Sequence, residues 1–182
     1  MKTIAIVTAA AALFAVPAAA DAQAFLQVET GLDSVSAEGE SDQGVAYGVT
    51  AGYDIPLGNG MFVGAQATAA DSTTKECATA GTERLCIKTG RDLSAVARLG
   101  TAVGEKANLY VLGGYTNARL KVTYTDGVTR ISDGENGDGW RVGAGAEYNL
   151  NANLFVKAEY RYSNYKGDFS RHNAILALGT KF

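Results

Sequence analysis

The chain has one histidine, and Asp168, Ser170 and His172 stand at two-residue spacing around it. On a β-strand that spacing puts three side chains on one face. An acid, a hydroxyl and an imidazole on one face are the parts of a nucleophilic hydrolase, with the imidazole as base. The sequence that follows is His172-Asn173-Ala174, with no hydroxyl two positions on. A polar strand end accounts for the same three residues, and we assign no catalytic residue.

Two further groupings could carry chemistry. Cys77 and Cys86 flank Ala78-Thr79-Ala80-Gly81-Thr82-Glu83-Arg84-Leu85. They form no CxxC pair and have no histidine nearby, so a metal site is not expected. In an oxidising compartment a disulfide that staples a loop is the default. Asp133-Gly134-Glu135-Asn136-Gly137-Asp138-Gly139 is acidic and glycine-rich, but it lacks the spacing and flanking helices of a calcium hand. A solvated loop where divalent cations could collect explains it better, and no resident metal or cofactor is expected. The formal net charge of −3 gives no footprint for nucleic acid.

The compartment is set by the first residues. Lys2 precedes an apolar run from Ile4 to Val16, which Pro17 and small residues terminate. That run is too short to span a bilayer as a helix and reads as a secretory signal, residues 1–22. Cleavage after Ala22 fits the small-x-small pattern of Ala20-Asp21-Ala22; Ala22-Gln23-Ala24 offers an alternative two residues on. Export makes the cysteine pairing plausible chemistry. Residues 23–182 then form one domain.

Period-2 segments recur through that domain. They run over about 25–33, 45–55, 61–70, 91–103, 108–124, 140–150, 154–162 and 171–182. Val45, Tyr47, Val49, Ala51, Tyr53 and Ile55 oppose Ala46, Gly48, Thr50, Gly52 and Asp54; the other segments behave alike, though Gly113-Gly114 leaves the phase of the fifth open. Connections after the second, fourth and sixth segments are short. Those after the first, third and fifth (34–44, 71–90 and 125–139) are longer and polar, and read as loops. The expectation is an all-β fold: an eight-stranded antiparallel up-and-down transmembrane β-barrel with short turns at one end, loops at the other and apolar faces outward. A soluble barrel with inverted faces has the same period. The aromatics favour the membrane. Tyr47, Tyr53, Trp140, Tyr148, Tyr160 and Tyr162 lie near strand ends. Trp140 to Tyr148 spans about 26 Å of strand, roughly 20 Å after a tilt of about 40°, close to the apolar band of about 25 Å.

With apolar faces outward, Glu29, Arg98, Arg141, Glu147, Lys157, Glu159 and Arg161 point inside. An eight-stranded barrel is just wide enough to be filled by side chains. Charges of both signs in such a space must pair, which predicts a salt-bridged plug rather than a solute pore.

The ending Leu178-Gly179-Thr180-Lys181-Phe182, the loop asymmetry and the eight segments resemble the small OmpA/OmpX-type family, including opacity-like and attachment–invasion surface proteins. The resemblance covers the whole domain. It implies that Phe182 closes the signal read by the barrel-insertion machinery, and that the protein sits in a Gram-negative outer membrane among lipid and lipopolysaccharide. It also implies an adhesin-like, antigen-like or structural role, with a host or cell-surface ligand held by the outer loops. No peptidoglycan-binding domain is expected after Phe182. Two rivals stay open: a lipid A-modifying barrel enzyme, whose deacylase form carries a His-x-Ser pattern that His172-Asn173-Ala174 lacks, and a narrow porin-like channel. An omptin-type protease needs more strands than this length allows.

Overall fold

The structure, a computed structural model, describes residues 23–37, 40–80, 83–126, 129–166 and 169–182. The proposed leader, residues 1–22, lies outside the described residues, as does Asp168. Nine strands follow in order: β1 (Gln23–Ala37), β2 (Glu40–Gly58), β3 (Met61–Ser72), β4 (Lys75–Ala80), β5 (Glu83–Val103), β6 (Ala107–Asp126), β7 (Thr129–Asn149), β8 (Leu154–Tyr165) and β9 (Phe169–Lys181).

Every pairing is antiparallel between sequence neighbours, β1 pairs β9, and β3 pairs β5, so the sheet closes on itself. β3 and β4 are one stave interrupted at Thr73-Thr74, since both lie along β5. The wall is therefore an eight-stranded antiparallel barrel. At the break the Val45 amide donates to Thr73 Oγ1 at 2.9 Å and the Thr73 amide to the Val45 carbonyl at 3.0 Å. A bulge lies beside it: Gly90 and Arg91 of β5 face a single residue of β6 between the pairs Thr89↔Leu120 and Asp92↔Ala118.

Alternation fixes the two faces. Leu26, Val28 and Leu32 on β1 are exposed while Phe25, Gln27, Glu29 and Asp33 are buried. β6 keeps one phase through Gly113-Gly114: Tyr110, Leu112, Thr116 and Ala118 are buried, Val111 and Tyr115 exposed. Large apolar side chains thus coat the outside and polar ones fill the inside, the reverse of a soluble barrel.

The segments expected as loops over 34–44, 71–90 and 125–139 are mostly strand. β1 runs to Ala37 and β2 begins at Glu40; β4 occupies part of the second segment; β6 reaches Asp126 and β7 begins at Thr129. Beyond the apolar band a strand carries polar residues on both faces. Hydrophobic alternation then vanishes, while β-branched and aromatic residues such as Val122, Thr123, Tyr124 and Ile131 keep favouring strand. At the other end the connections are tight, and in the β2–β3 turn Gly58, Asn59 and Gly60 all take positive φ (88°, 52° and 77°). The described chain ends meet there, the Phe182 amide donating to the Ala24 carbonyl at 2.9 Å.

Candidate functional site

The lumen is built in tiers. At the turn end, four inward rings each face a glycine on the adjacent strand: Phe25 opposite Gly52, Phe62 opposite Gly100, Tyr110 opposite Gly145 and Phe155 opposite Gly179. A Cβ at these glycines would fall 2.2, 2.3, 2.4 and 2.3 Å from the opposing side chain. The glycines that crowd the inner face are therefore recesses that seat rings. Arg98 lies among three of those rings, its guanidinium carbon 4.2 Å from the Tyr110 centroid, 4.9 Å from Phe25 and 5.2 Å from Phe62. Asp54 and Glu147 flank it at 3.3 and 3.5 Å. Its three guanidinium nitrogens make no hydrogen bond, so cation–π attraction and ion pairing hold this buried charge. Glu147 is shared with Lys181 at 2.5 Å.

The middle tier is tied more tightly. Arg161 donates two hydrogen bonds to Glu29, at 2.6 and 2.8 Å, and a third to Glu159. Glu159 also receives the Tyr110 hydroxyl and pairs with Lys157 at 3.3 Å. Thr50 and Gln27 donate to Glu29 at 2.9 and 3.0 Å. In the hairpin-side tier, Arg171 grips Asp33 at 2.6 and 2.8 Å and reaches Asp92 at 2.9 Å. Arg141 and Tyr165 donate to the same Asp92 oxygen at 2.7 and 2.8 Å. Asn173 and Thr74 complete Asp33 at 2.8 and 2.9 Å, with Ser72 beside them. Tyr165 and Phe169 stack above, centroids 4.4 Å apart.

Among the described residues the lumen thus balances Glu29, Asp33, Asp54, Asp92, Glu147 and Glu159 against Arg98, Arg141, Lys157, Arg161, Arg171 and Lys181. All seven interior residues singled out from the sequence are buried here. Asp33, Asp54, Asp92, Arg171 and Lys181 were not among them, although each lies within a period-2 segment, at or next to its end. Carrying each strand's parity to the ends of its segment finds them: Glu29 leads to Asp33, and Lys181 leads to Arg171.

On the outer face Tyr47, Trp140, Tyr148 and Tyr160 are exposed, as is Phe182; Tyr53 and Tyr162 are half-exposed. His172 lies on that face too, its Nδ1 2.6 Å from the Tyr160 hydroxyl. Among the described residues the imidazole thus engages a phenol. Cys77 and Cys86 stand directly opposite each other in the β4–β5 pairing. No group of residues among those described could hold a metal ion.

A family model described as outer membrane protein beta-barrel domain matches residues 6–182. The 31 kDa outer-membrane immunogenic protein of Brucella melitensis is 31% identical over 140 residues, 72% of this chain and 57% of that protein. The same protein of Brucella suis matches equally. The chain spans little more than half the length of these relatives. Among solved structures, the attachment invasion locus protein Ail of Yersinia pestis, in complex with the heparin analogue sucrose octasulfate, matches with a TM-score of 0.64 at 18% identity, over 88% of this chain and 99% of that one. Neisserial surface protein A matches with a TM-score of 0.60 at 16% identity, over 87% of this chain and 97% of that one. Identities this low speak for the fold alone.

Proposed function

We propose, from the premise that this chain belongs to the outer membrane protein β-barrel domain family, that it is a non-enzymatic surface-interaction protein with a closed lumen. The observation that carries this reading is the height of its hairpins. β6 and β7 stay paired from Tyr115↔Trp140 out to Asp126↔Thr129, and β5 keeps pace with β6 to Glu83↔Asp126. Trp140 marks the edge of the apolar band. The ladder beyond it runs about 36 Å along the strand, roughly 28 Å above the membrane at a tilt of about 40°. Protein that serves only to span a bilayer has no need of such a sheet. Among the described residues β4 pairs on one side only, with β5. A free strand edge is a surface on which a partner chain can align.

Several assignments belong to the same reading. Residues 1–22 are a cleaved leader. The turn end faces the periplasm, Phe182 completes the signal for the insertion machinery, and Tyr47, Tyr53, Trp140, Tyr148, Tyr160 and Tyr162 anchor the wall among membrane lipids. Cys77 and Cys86 are linked across β4–β5 and stiffen the second hairpin; their opposition in register supports this. The three tiers of ion pairs argue against a solute channel, and the His172–Tyr160 pairing argues against a lipid A-modifying hydrolase. The ligand of Ail is not carried over to this chain, whose first hairpin holds Glu38, Glu40 and Asp42 without a base between them.

The test compares the full barrel with a variant whose third hairpin is shortened by removing residues 120–134. Both should fold, shown by a shift in gel migration on boiling. Beads coated with the full barrel should bind cultured host cells, and beads with the shortened one should not. Equal binding would sink the surface-interaction reading. Stepwise conductance of the full barrel in planar bilayers would favour the channel, and an altered lipid A profile in expressing cells would favour the enzyme.

A further inference from the structure

Four neighbouring strands change character at one level of the outer face. Going toward the hairpins, the outward run passes from Leu32 to Ser34 on β1 and from Ala174 to His172 on β9. It passes from Tyr162 to Asn164 on β8 and from Trp140 to Asp138 on β7. The pairs Ser34↔His172, Tyr162↔His172 and Trp140↔Asn164 set these residues side by side. From Phe182 to His172 the strand covers about 33 Å, roughly 25 Å along the membrane normal at about 40° tilt, which is the height of the apolar band. This level is where hydrocarbon gives way to headgroups.

Rings converge there. Trp140 meets Tyr162 with centroids 5.5 Å apart, and Tyr162 meets His172 at 4.9 Å. Tyr160 Oη and His172 Nδ1 share a hydrogen bond in which either can donate; in the tautomer where the phenol donates, the imidazole proton is on Nε2, for which no partner stands among the described residues. A girdle of aromatics needs no imidazole, and an Nε2–H facing hydrocarbon would be left unsatisfied at a cost. Among the described residues the charged groups around it are few. Lys166 is exposed at the β8–β9 turn. Asp138 accepts from the Tyr115 hydroxyl and from Asn117 at 2.8 Å, so its carboxylate is already engaged.

We propose that Trp140, Tyr160, Tyr162 and His172 form a site for the phosphorylated headgroup of an outer-leaflet glycolipid. His172 Nε2 donates to a phosphate oxygen, and the ring faces stack on the sugar. The site rests on the orientation given under the proposed function, with hairpins outside the cell.

The test uses purified, refolded barrel in phosphatidylcholine vesicles, alone or with bisphosphorylated or monophosphorylated lipid A. The readout is the temperature at which the folded gel band converts to the unfolded one. Bisphosphorylated lipid A should raise that midpoint for the native protein, and the monophosphorylated form should raise it less. His172→Ala and His172→Gln, each checked for the folded band, separate loss of the donor from loss of the fold: the increment should fall by at least half in the first and be partly kept in the second. Tyr148→Ala, at the turn end of the band, should keep the full increment. A full increment in His172→Ala, or equal increments from the two lipids, overturns the site. Protease added to intact cells tests orientation separately: cleavage confined to the hairpins supports it, and uncut hairpins would refute it without touching the vesicle result.

Discussion

Replacing Arg171 with Met is the sharpest probe of the lumen. Arg171 is 1% exposed, and its three hydrogen bonds reach two different carboxylates. The two partners do not suffer equally. Asp92 keeps Arg141 at 2.7 Å and the Tyr165 hydroxyl at 2.8 Å. Asp33 loses its only ion-pair partner among the described residues and keeps the neutral donors Asn173, Thr74 and Ser72. Removing one member of a buried pair costs about 3–5 kcal/mol, chiefly because the other charge is stranded. A loss of about 4 kcal/mol lowers the folded-to-unfolded ratio roughly 700-fold. If the stranded carboxylate is the cause, adding Asp33→Asn should recover more than half of the loss, because the carboxamide oxygen still accepts from the neutral donors and carries no charge. The assay is urea unfolding in lipid vesicles, followed by the fluorescence of Trp140, the only tryptophan in the chain. A cost below about 1 kcal/mol for Arg171→Met, or a double variant as unstable as the single one, would refute the reasoning.

Three further outcomes are expected. Gly179→Ala would put a Cβ 2.3 Å from the Phe155 ring, so the ring must move; overpacking of this kind costs about 1–3 kcal/mol in the same unfolding assay, and adding Phe155→Ala should relieve part of it. Cys77→Ser should leave the barrel intact but speed protease cleavage of the second hairpin, with a stability loss of about 2–3 kcal/mol on the chain-entropy argument; mass spectrometry without reductant should find the native pair linked. The joint replacement Arg98→Ala with Arg161→Ala removes two tiers of the plug and should give small, frequent conductance events in planar bilayers where the native barrel gives none; silence from the variant would mean that the remaining side chains still close the lumen.

Sequence pattern made the wall legible and the plug only half so. Inside the apolar band, alternation names the face of every residue, and Glu29, Arg98, Glu147, Lys157, Glu159 and Arg161 follow from it. Outside the band the same backbone continues with no hydrophobic contrast to reveal it, which hid the outer parts of β1, β2, β6 and β7. Asp33, Asp92 and Arg171 sit at the ends of the alternating segments, where a charge reads equally well as the start of a loop. The stave break at Thr73-Thr74 and the bulge at Gly90-Arg91 were hidden for a different reason. Both are local shifts of pairing between strands, and a single strand's pattern does not record its partner's. His172 was visible as chemistry but not as geometry. Its neighbour Tyr160 comes from the adjacent strand, twelve positions earlier, where spacing along one strand gives no warning.

The glycine recesses at the turn end bear on how the barrel closes without error. A slip of one residue between neighbouring strands would expose charges to lipid and is forbidden by the faces alone. A slip of two residues preserves every face, so hydrophobicity offers no defence against it. Three of the four seated rings do. Displaced by two, Phe155 would meet Ala177 or Lys181 in place of Gly179, Phe62 would meet Ala102 or Arg98 in place of Gly100, and Phe25 would meet Thr50 or Asp54 in place of Gly52. In each case a side chain occupies the space the ring needs. Ring and recess thus act as a key for strand alignment, rejecting the one class of misassembly that the membrane itself cannot detect.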